Sequence, residues 1–128
     1  MDFHKPMSFR IQGTSFFLTY SQCDLDPNTL LTHLKTLQDV TFIGIGQEHH
    51  QDGNLHLHVL INFNKRKNIQ TPRYFDYQGF HPSIEKTRSQ EASKRYYTKE
   101  GFQVIEWGEP DEEQTEDIYE LAESTDRS

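Results

Sequence analysis

The stretch from Leu55 to Phe63 constrains the chain most. Its odd positions are Leu55, Leu57, Val59, Ile61 and Phe63, all apolar, while its even positions are His56, His58, Leu60 and Asn62. Successive side chains of a strand point to opposite faces. This segment is therefore predicted to be a strand with one apolar face, and a slip of one residue would turn that whole face to water. Just ahead of it stands Asp52-Gly53, a dipeptide suited to hairpin turns because Gly tolerates positive φ. The hairpin returns the chain from a strand predicted over Thr41 to Glu48. That strand has Ile43, Ile45 and Gln47 on one side and Phe42, Gly44, Gly46 and Glu48 on the other. The even positions of the two strands then share a face.

Around this hairpin the pattern supplies three more strands, two longer helices and a loop. Phe16 to Tyr20 is a run of aromatic and branched residues that reads as a strand. Asp26-Pro27 has the chemistry of a helix start, and Leu30, Leu31, Leu34 and Leu37 give an apolar stripe to about Gln38. Asn64 to Gly79 is polar with basic and aromatic residues interleaved, and reads as a loop holding a short helix at Thr71 to Phe75. Phe80 to Lys86 is a predicted strand, Ser89 to Lys99 a helix stopped by Gly101, and Phe102 to Trp107 a closing strand. This order predicts an α+β domain: a central antiparallel β-sheet of about five strands with flanking helices.

A chain of 128 residues can bury one core of this kind. The net charge of -7 argues against a nucleic-acid enzyme until it is divided along the chain. Nine of the acidic residues fall between Glu109 and Ser128, against Arg127 alone, which leaves 11 acidic and 12 basic residues in the first 108. A near-neutral domain over residues 1–108 can still carry a basic groove, and 109–128 reads as a separate acidic tail or linker. That tail holds a possible short helix around Ile118 to Ala122. The lone Cys23 excludes an internal disulfide framework and suits a reducing compartment. No apolar run approaches the roughly 20 residues of a membrane span, so a soluble intracellular protein without a membrane partner is expected.

Three groups of residues carry chemistry. His56 and His58 project from one face of their strand, opposite the apolar row, and two imidazoles side by side are a natural pair of divalent-metal ligands. Exposed histidines are also common without any metal. Glu48 lies across the hairpin on the same face, and Gly44 and Gly46 beside it would leave open space for an ion and a phosphate. Equally, Glu48 is what a surface turn carries, and the glycines what a bulge carries. Third, Tyr96 and Lys99 are one turn apart on a helix face, with Tyr97 rotated about 100° away. A phenol used as a nucleophile needs nearby positive charge, which a lysine or metal supplies. The same spacing also suits a packed tyrosine beside a solvated lysine.

Taken together these residues match a known family. The chain resembles the nuclease domain of Rep proteins from small circular single-stranded DNA viruses, members of the HUH endonuclease class, most closely the geminivirus and genomovirus type. Phe17-Leu18-Thr19-Tyr20-Ser21-Gln22-Cys23 is similar to the first family motif, and His56-Leu57-His58 to the metal motif. Gln47-Glu48 with His50 and Asp52-Gly53 resembles the segment donating the third ligand, and Tyr96 to Lys99 the nucleophile motif. Arg73-Tyr74-Phe75-Asp76 and Phe80-His81-Pro82-Ser83-Ile84 resemble a block typical of the two lineages. Ser21, where geminiviruses usually have proline, and a short loop between Asp76 and Phe80 lean toward the genomovirus side.

The resemblance implies an RRM-like, ferredoxin-like HUH fold. It implies Mn or Mg held by Glu48, His56 and His58, attack on DNA by Tyr96, and assistance from Lys99. The function implied is nicking and joining of single-stranded DNA at an origin stem-loop through a 5′-phosphotyrosine link, which starts rolling-circle replication. Phe17, Thr19, Arg73 and Tyr74 are candidate DNA contacts on the catalytic face. Host replication proteins are implied partners, the host nucleus the implied location, and homo-oligomers the implied state of a longer protein. A helicase domain usually follows in the family, so the chain is expected to be a nuclease domain from a longer Rep or a short product. The competing expectation is a noncatalytic RRM-like module binding single-stranded nucleic acid; a second is a metal hydrolase using water and leaving Tyr96 idle.

Overall fold

The structure is a computed structural model that describes residues 9–87 and 89–111. The expected helix around Ile118 to Ala122 and most of the acidic tail lie outside these residues. The order of elements is β1 (Ile11–Tyr20), α1 (Pro27–Leu34), β2 (Val40–His49), β3 (Leu55–Ile69), β4 (Ser83–Lys86), α2 (Gln90–Tyr97) and β5 (Gln103–Gly108). The strands form one antiparallel sheet in the order β4-β1-β3-β2-β5. The predicted α+β class and strand count hold.

The β2–β3 hairpin closes as its composition requires. Gly53 takes φ 90, the Asp52 side chain accepts from the Asn54 amide at 2.9 Å, and the His50 amide donates to the Asn54 carbonyl at 2.9 Å. This turn fixes the register in which Glu48 stands opposite His56, and Gly46 opposite His58.

Because β3 is central, both of its faces are covered. On one side Leu57, Val59, Ile61 and Phe63 are buried with Phe16, Leu18, Tyr20, Ile43 and Ile45 beneath α1. Asp26 caps α1 by accepting from the Thr29 amide at 3.1 Å, and Pro27 occupies its first turn, where no N–H is needed. Leu30 and Leu34 are fully buried, each worth about 1.5–3 kcal/mol relative to exposure. The helix is shorter than the leucine spacing predicts. It tightens through bonds from Thr36 to His33 and from Leu37 to Leu34, and Asp39 at φ 70 turns the chain into β2. The other sheet face lies under α2, where Phe42, Leu60 and Tyr97 form a smaller cluster with Phe17.

Two expectations for Asn64 to Gly79 are corrected. β3 does not stop at Phe63; it runs to Ile69 by pairing Lys67, Asn68 and Ile69 with Gly13, Gln12 and Ile11 beyond an irregularity at Gly13/Ser15. Polar side chains mislead here because this end of the ladder is solvated, and backbone pairing needs no apolar face. Instead of a short helix, 72–75 is a turn. Ile69 sits opposite Ile11 and Ser83 opposite Thr19, so the connection must travel the length of β1. It does so on the α1 side, where Phe75 is buried and its carbonyl accepts from the Tyr20 hydroxyl at 2.6 Å.

Candidate active site

The hairpin delivers Glu48 and His58 to the α2 side of the sheet. His58 Nε2 is 2.7 Å from Glu48 Oε1, and that bond, with the His50 ring nearby, holds the Glu48 carboxyl below its usual pKa. Although it projects opposite the apolar row, His58 is only 5% exposed. The apolar row packs into one core, and α2 creates a second on the opposite face. The His58 ring lies between Phe17 and Phe102, with centroids 6.1 and 5.7 Å away, and Tyr96 meets it edge-on at 5.3 Å. Its Nδ1 is buried and makes no hydrogen bond, so Nε2, facing Glu48, is the edge that does polar work.

His56 stands opposite Glu48, with its ring stacked on His50 at 3.8 Å and 10°. Desolvation, then the neighbouring His50, lowers the His56 pKa and favours the neutral imidazole. His50 Nε2 is 3.4 Å from the same Glu48 oxygen that bonds His58. His50, in the segment that resembles the third-ligand donor, thus stacks on one histidine and faces the carboxylate that bonds the other. Among the described residues no group of three His, Cys, Asp or Glu is arranged to hold a metal ion as the side chains stand. The donors nevertheless fit one chemically. An ionised carboxylate and an imidazole face each other 2.7 Å apart, near the roughly 3 Å between adjacent donors on an octahedral ion. A neutral imidazole lies on the next strand position of that face.

Tyr96 and Tyr97 have separate fates. Tyr97 is fully buried, its hydroxyl donates to Glu106 at 2.6 Å, and burial followed by that bond pushes its pKa up. A Cβ at Gly44 would overlap the Tyr97 ring, and one at Gly46 would overlap the Tyr97 carbonyl. The glycines therefore do not leave open space for an ion, as composition suggests; α2 fills it. Their lack of side chains lets the helix seat directly on β2. With Tyr97 locked inward, Tyr96 turns outward, 48% exposed, with its ring against Phe17 at 5.3 Å. α2 ends at Tyr97 and not at Lys99 as the sequence predicts, so Lys99 shares no helix face with Tyr96; it lies in the turn beyond the helix, and from there its Nζ sits 4.4 Å over the Tyr96 ring.

Ser89 starts α2 by accepting from the Ala92 amide, and after Tyr97 the chain turns through Gly101 at φ 90. That turn brings Phe102 back over His58. Phe102 was read only as the start of the last strand, and nothing in its spacing points to the site. An open cleft of about 850 Å³ runs between β1, β4 and α2, lined by Phe17, Thr19, Lys86, Ser89 and Tyr96 among others. Phe17 and Thr19 thus line one cleft with Tyr96. Arg73 and Tyr74 do not join them. Tyr74 packs on the α1-side core, and Arg73, 80% exposed at its side chain, pairs with Asp76 at 3.6 Å. Anchored Phe75 keeps this turn on the far side of β1.

The model of the geminivirus Rep catalytic domain matches residues 9–113, which include every element described above. The chain belongs to that family. Its relatives include the replication-associated protein of Cabbage leaf curl virus, 39% identical over 106 residues, a match spanning 75% of this chain and 30% of that protein. Replication-associated protein A of Miscanthus streak virus is 40% identical over 103 residues, spanning 78% of this chain and 48% of the relative. Replication-associated protein A of Tobacco yellow dwarf virus is 41% identical over 108 residues, spanning 82% and 36%. The Rep catalytic domain described here therefore spans between about a third and a half of these relatives' length.

Proposed function

We propose that this Rep catalytic domain cuts single-stranded DNA with Tyr96 as nucleophile and keeps one end of the cut. One observation carries the reading: of two adjacent tyrosines, Tyr97 is buried and committed to Glu106, while Tyr96 is exposed in a cleft beside His58, itself bonded to Glu48. The Tyr96 oxygen attacks the scissile phosphorus, forming a Tyr–O–P bond as the P–O3′ bond breaks. The phenol gives up its proton as it attacks and the departing 3′ oxygen takes one up, so that no net proton is released, and the phosphate stays on Tyr96 as a 5′-phosphotyrosine ester. One ester replaces another, so a 3′-OH can reverse the step and join ends.

Glu48, His56 and His58 would hold a divalent ion, Mn or Mg, which when bound supplies Lewis-acid polarisation of the phosphate. Lys99, above the Tyr96 ring, stabilises charge on the attacking oxygen or places the phosphate. Phe17 offers a stacking face in the cleft and Thr19 a hydroxyl for the backbone. In this reading the substrate is a viral origin presented as a stem-loop in the host nucleus. The free 3′-OH primes rolling-circle synthesis by host proteins, and oligomerisation belongs to the longer protein.

The test is a labelled single-stranded oligonucleotide incubated with the protein and Mn. A protein–DNA adduct that survives denaturation and is lost in Tyr96→Phe is expected. Free cleaved product would point instead to a metal hydrolase using water. Binding without cleavage would point to a noncatalytic module.

A further inference from the structure

Asn62 is a polar residue with no exposure at all, and its bonds join parts of the chain that are remote in sequence. Its Nδ2 donates to Ser15 Oγ at 2.7 Å and to Gln90 Oε1 at 3.2 Å, while Gln90 Nε2 donates to the same Ser15 oxygen at 2.7 Å. Its Oδ1 accepts from the Asp111 backbone amide at 2.9 Å. Gln90 is the first residue of α2, the helix that ends in Tyr96 and Tyr97. Asp111 lies three residues beyond the end of β5. A leucine would fit a buried strand position on this face, as Leu60 does two residues earlier. An amide is costly to bury unless its donors and acceptor are used, and here they are.

We propose that Asn62 is a positioning residue that couples the backbone at Asp111, just after β5, to the placement of α2, and through it to Tyr96. This rests on the nicking reading only for its consequence in catalysis. The amide acts as a two-sided clamp: its donors hold the N-terminal turn of α2 against β1, and its acceptor holds the outgoing backbone. Displacing Asp111 leaves Oδ1 buried without a partner, which weakens the reason for the amide to keep its present orientation toward Gln90. Coupling of this kind is reciprocal, so loosening α2 must also loosen Asp111. A displacement of the backbone at Asp111 thereby reaches the nucleophile helix without touching the active site.

The test exploits the fact that Asp111 contributes a backbone N–H. Asp111→Pro removes that donor, whereas Asp111→Ala removes the carboxylate and keeps it. In the metal-free, DNA-free protein, hydrogen exchange at the Ser93 amide, which closes the first turn of α2 on the Ser89 carbonyl, is expected to rise about fivefold or more in Asp111→Pro and to match wild type in Asp111→Ala. Conversely, Gln90→Ala is expected to speed exchange at the Asp111 amide. Equal Ser93 exchange in the two Asp111 variants, or unchanged Asp111 protection in Gln90→Ala, would overturn the coupling. Single-turnover adduct formation is expected to slow about fivefold in Asp111→Pro with oligonucleotide affinity kept, and an unchanged rate would remove Tyr96 from its reach. A wild type that forms no adduct would refute the nicking reading alone, because the exchange measurements need no chemistry.

Discussion

The Tyr97 hydroxyl reaches across the sheet to Glu106 on β5, 2.6 Å away, and this bond with the slot above Gly44 fixes the rotation of α2. Fixing one tyrosine inward is what presents its neighbour outward. Tyr97→Phe keeps the ring in its slot and removes only the bond to an exposed carboxylate, so a loss of about 1 kcal/mol is expected in urea unfolding. A loss above about 3 kcal/mol would mean that the bond, rather than ring packing, seats the helix.

Gly44→Ala should do more damage than its size suggests. The added methyl overlaps the Tyr97 ring, and the neighbouring helix must shift to admit it. Overpacking of this kind costs about 1–3 kcal/mol, and any adduct formation should fall with it. Wild-type stability and activity together in Gly44→Ala would show that α2 does not sit on the glycine as described.

On the opposite face, Tyr20→Phe deprives the buried Phe75 carbonyl of its donor. A loss of about 1–3 kcal/mol is expected, read by chemical denaturation. Cleft chemistry should be spared, since the bond lies on the α1 side. Loss of adduct formation without loss of stability would contradict that separation.

The His56 pKa is lowered, chiefly by desolvation and then by His50. The folded protein therefore holds fewer protons than the unfolded chain between the lowered value and the ordinary imidazole value of about 6.5. The contribution of His56 to stability is full above the ordinary value and is lost as pH falls through the lowered one. Imidazole NMR titration of the metal-free protein should place the His56 midpoint below 6.5. A midpoint above it would reverse the sign.

The hairpin and the shared face of Glu48, His56 and His58 were legible because strand alternation and an Asp-Gly turn are local rules, and they hold at Glu48 and His58. What sequence hid was the second layer. Tyr97, Gly44, Gly46 and Phe102 acquire meaning only once α2 is known to lie directly on β2, which no spacing along the chain states. Arg73 and Tyr74 lie apart from Phe17 and Thr19 for a related reason: a polar loop shows no face, and buried Phe75 decides on which side it crosses. The polar end of β3 was missed because its pairing to β1 is carried by backbone groups.

The central claim is that Tyr96, and not Tyr97, receives the DNA. Mass spectrometry of the nuclease-trimmed adduct formed with Mn decides it, since fragmentation between the two tyrosines locates the added nucleotide. The expected result is a nucleotide phosphate on Tyr96 with Tyr97 unmodified. A nucleotide on Tyr97 would contradict the account, because it requires the buried phenol to leave Glu106 and the helix to leave the sheet.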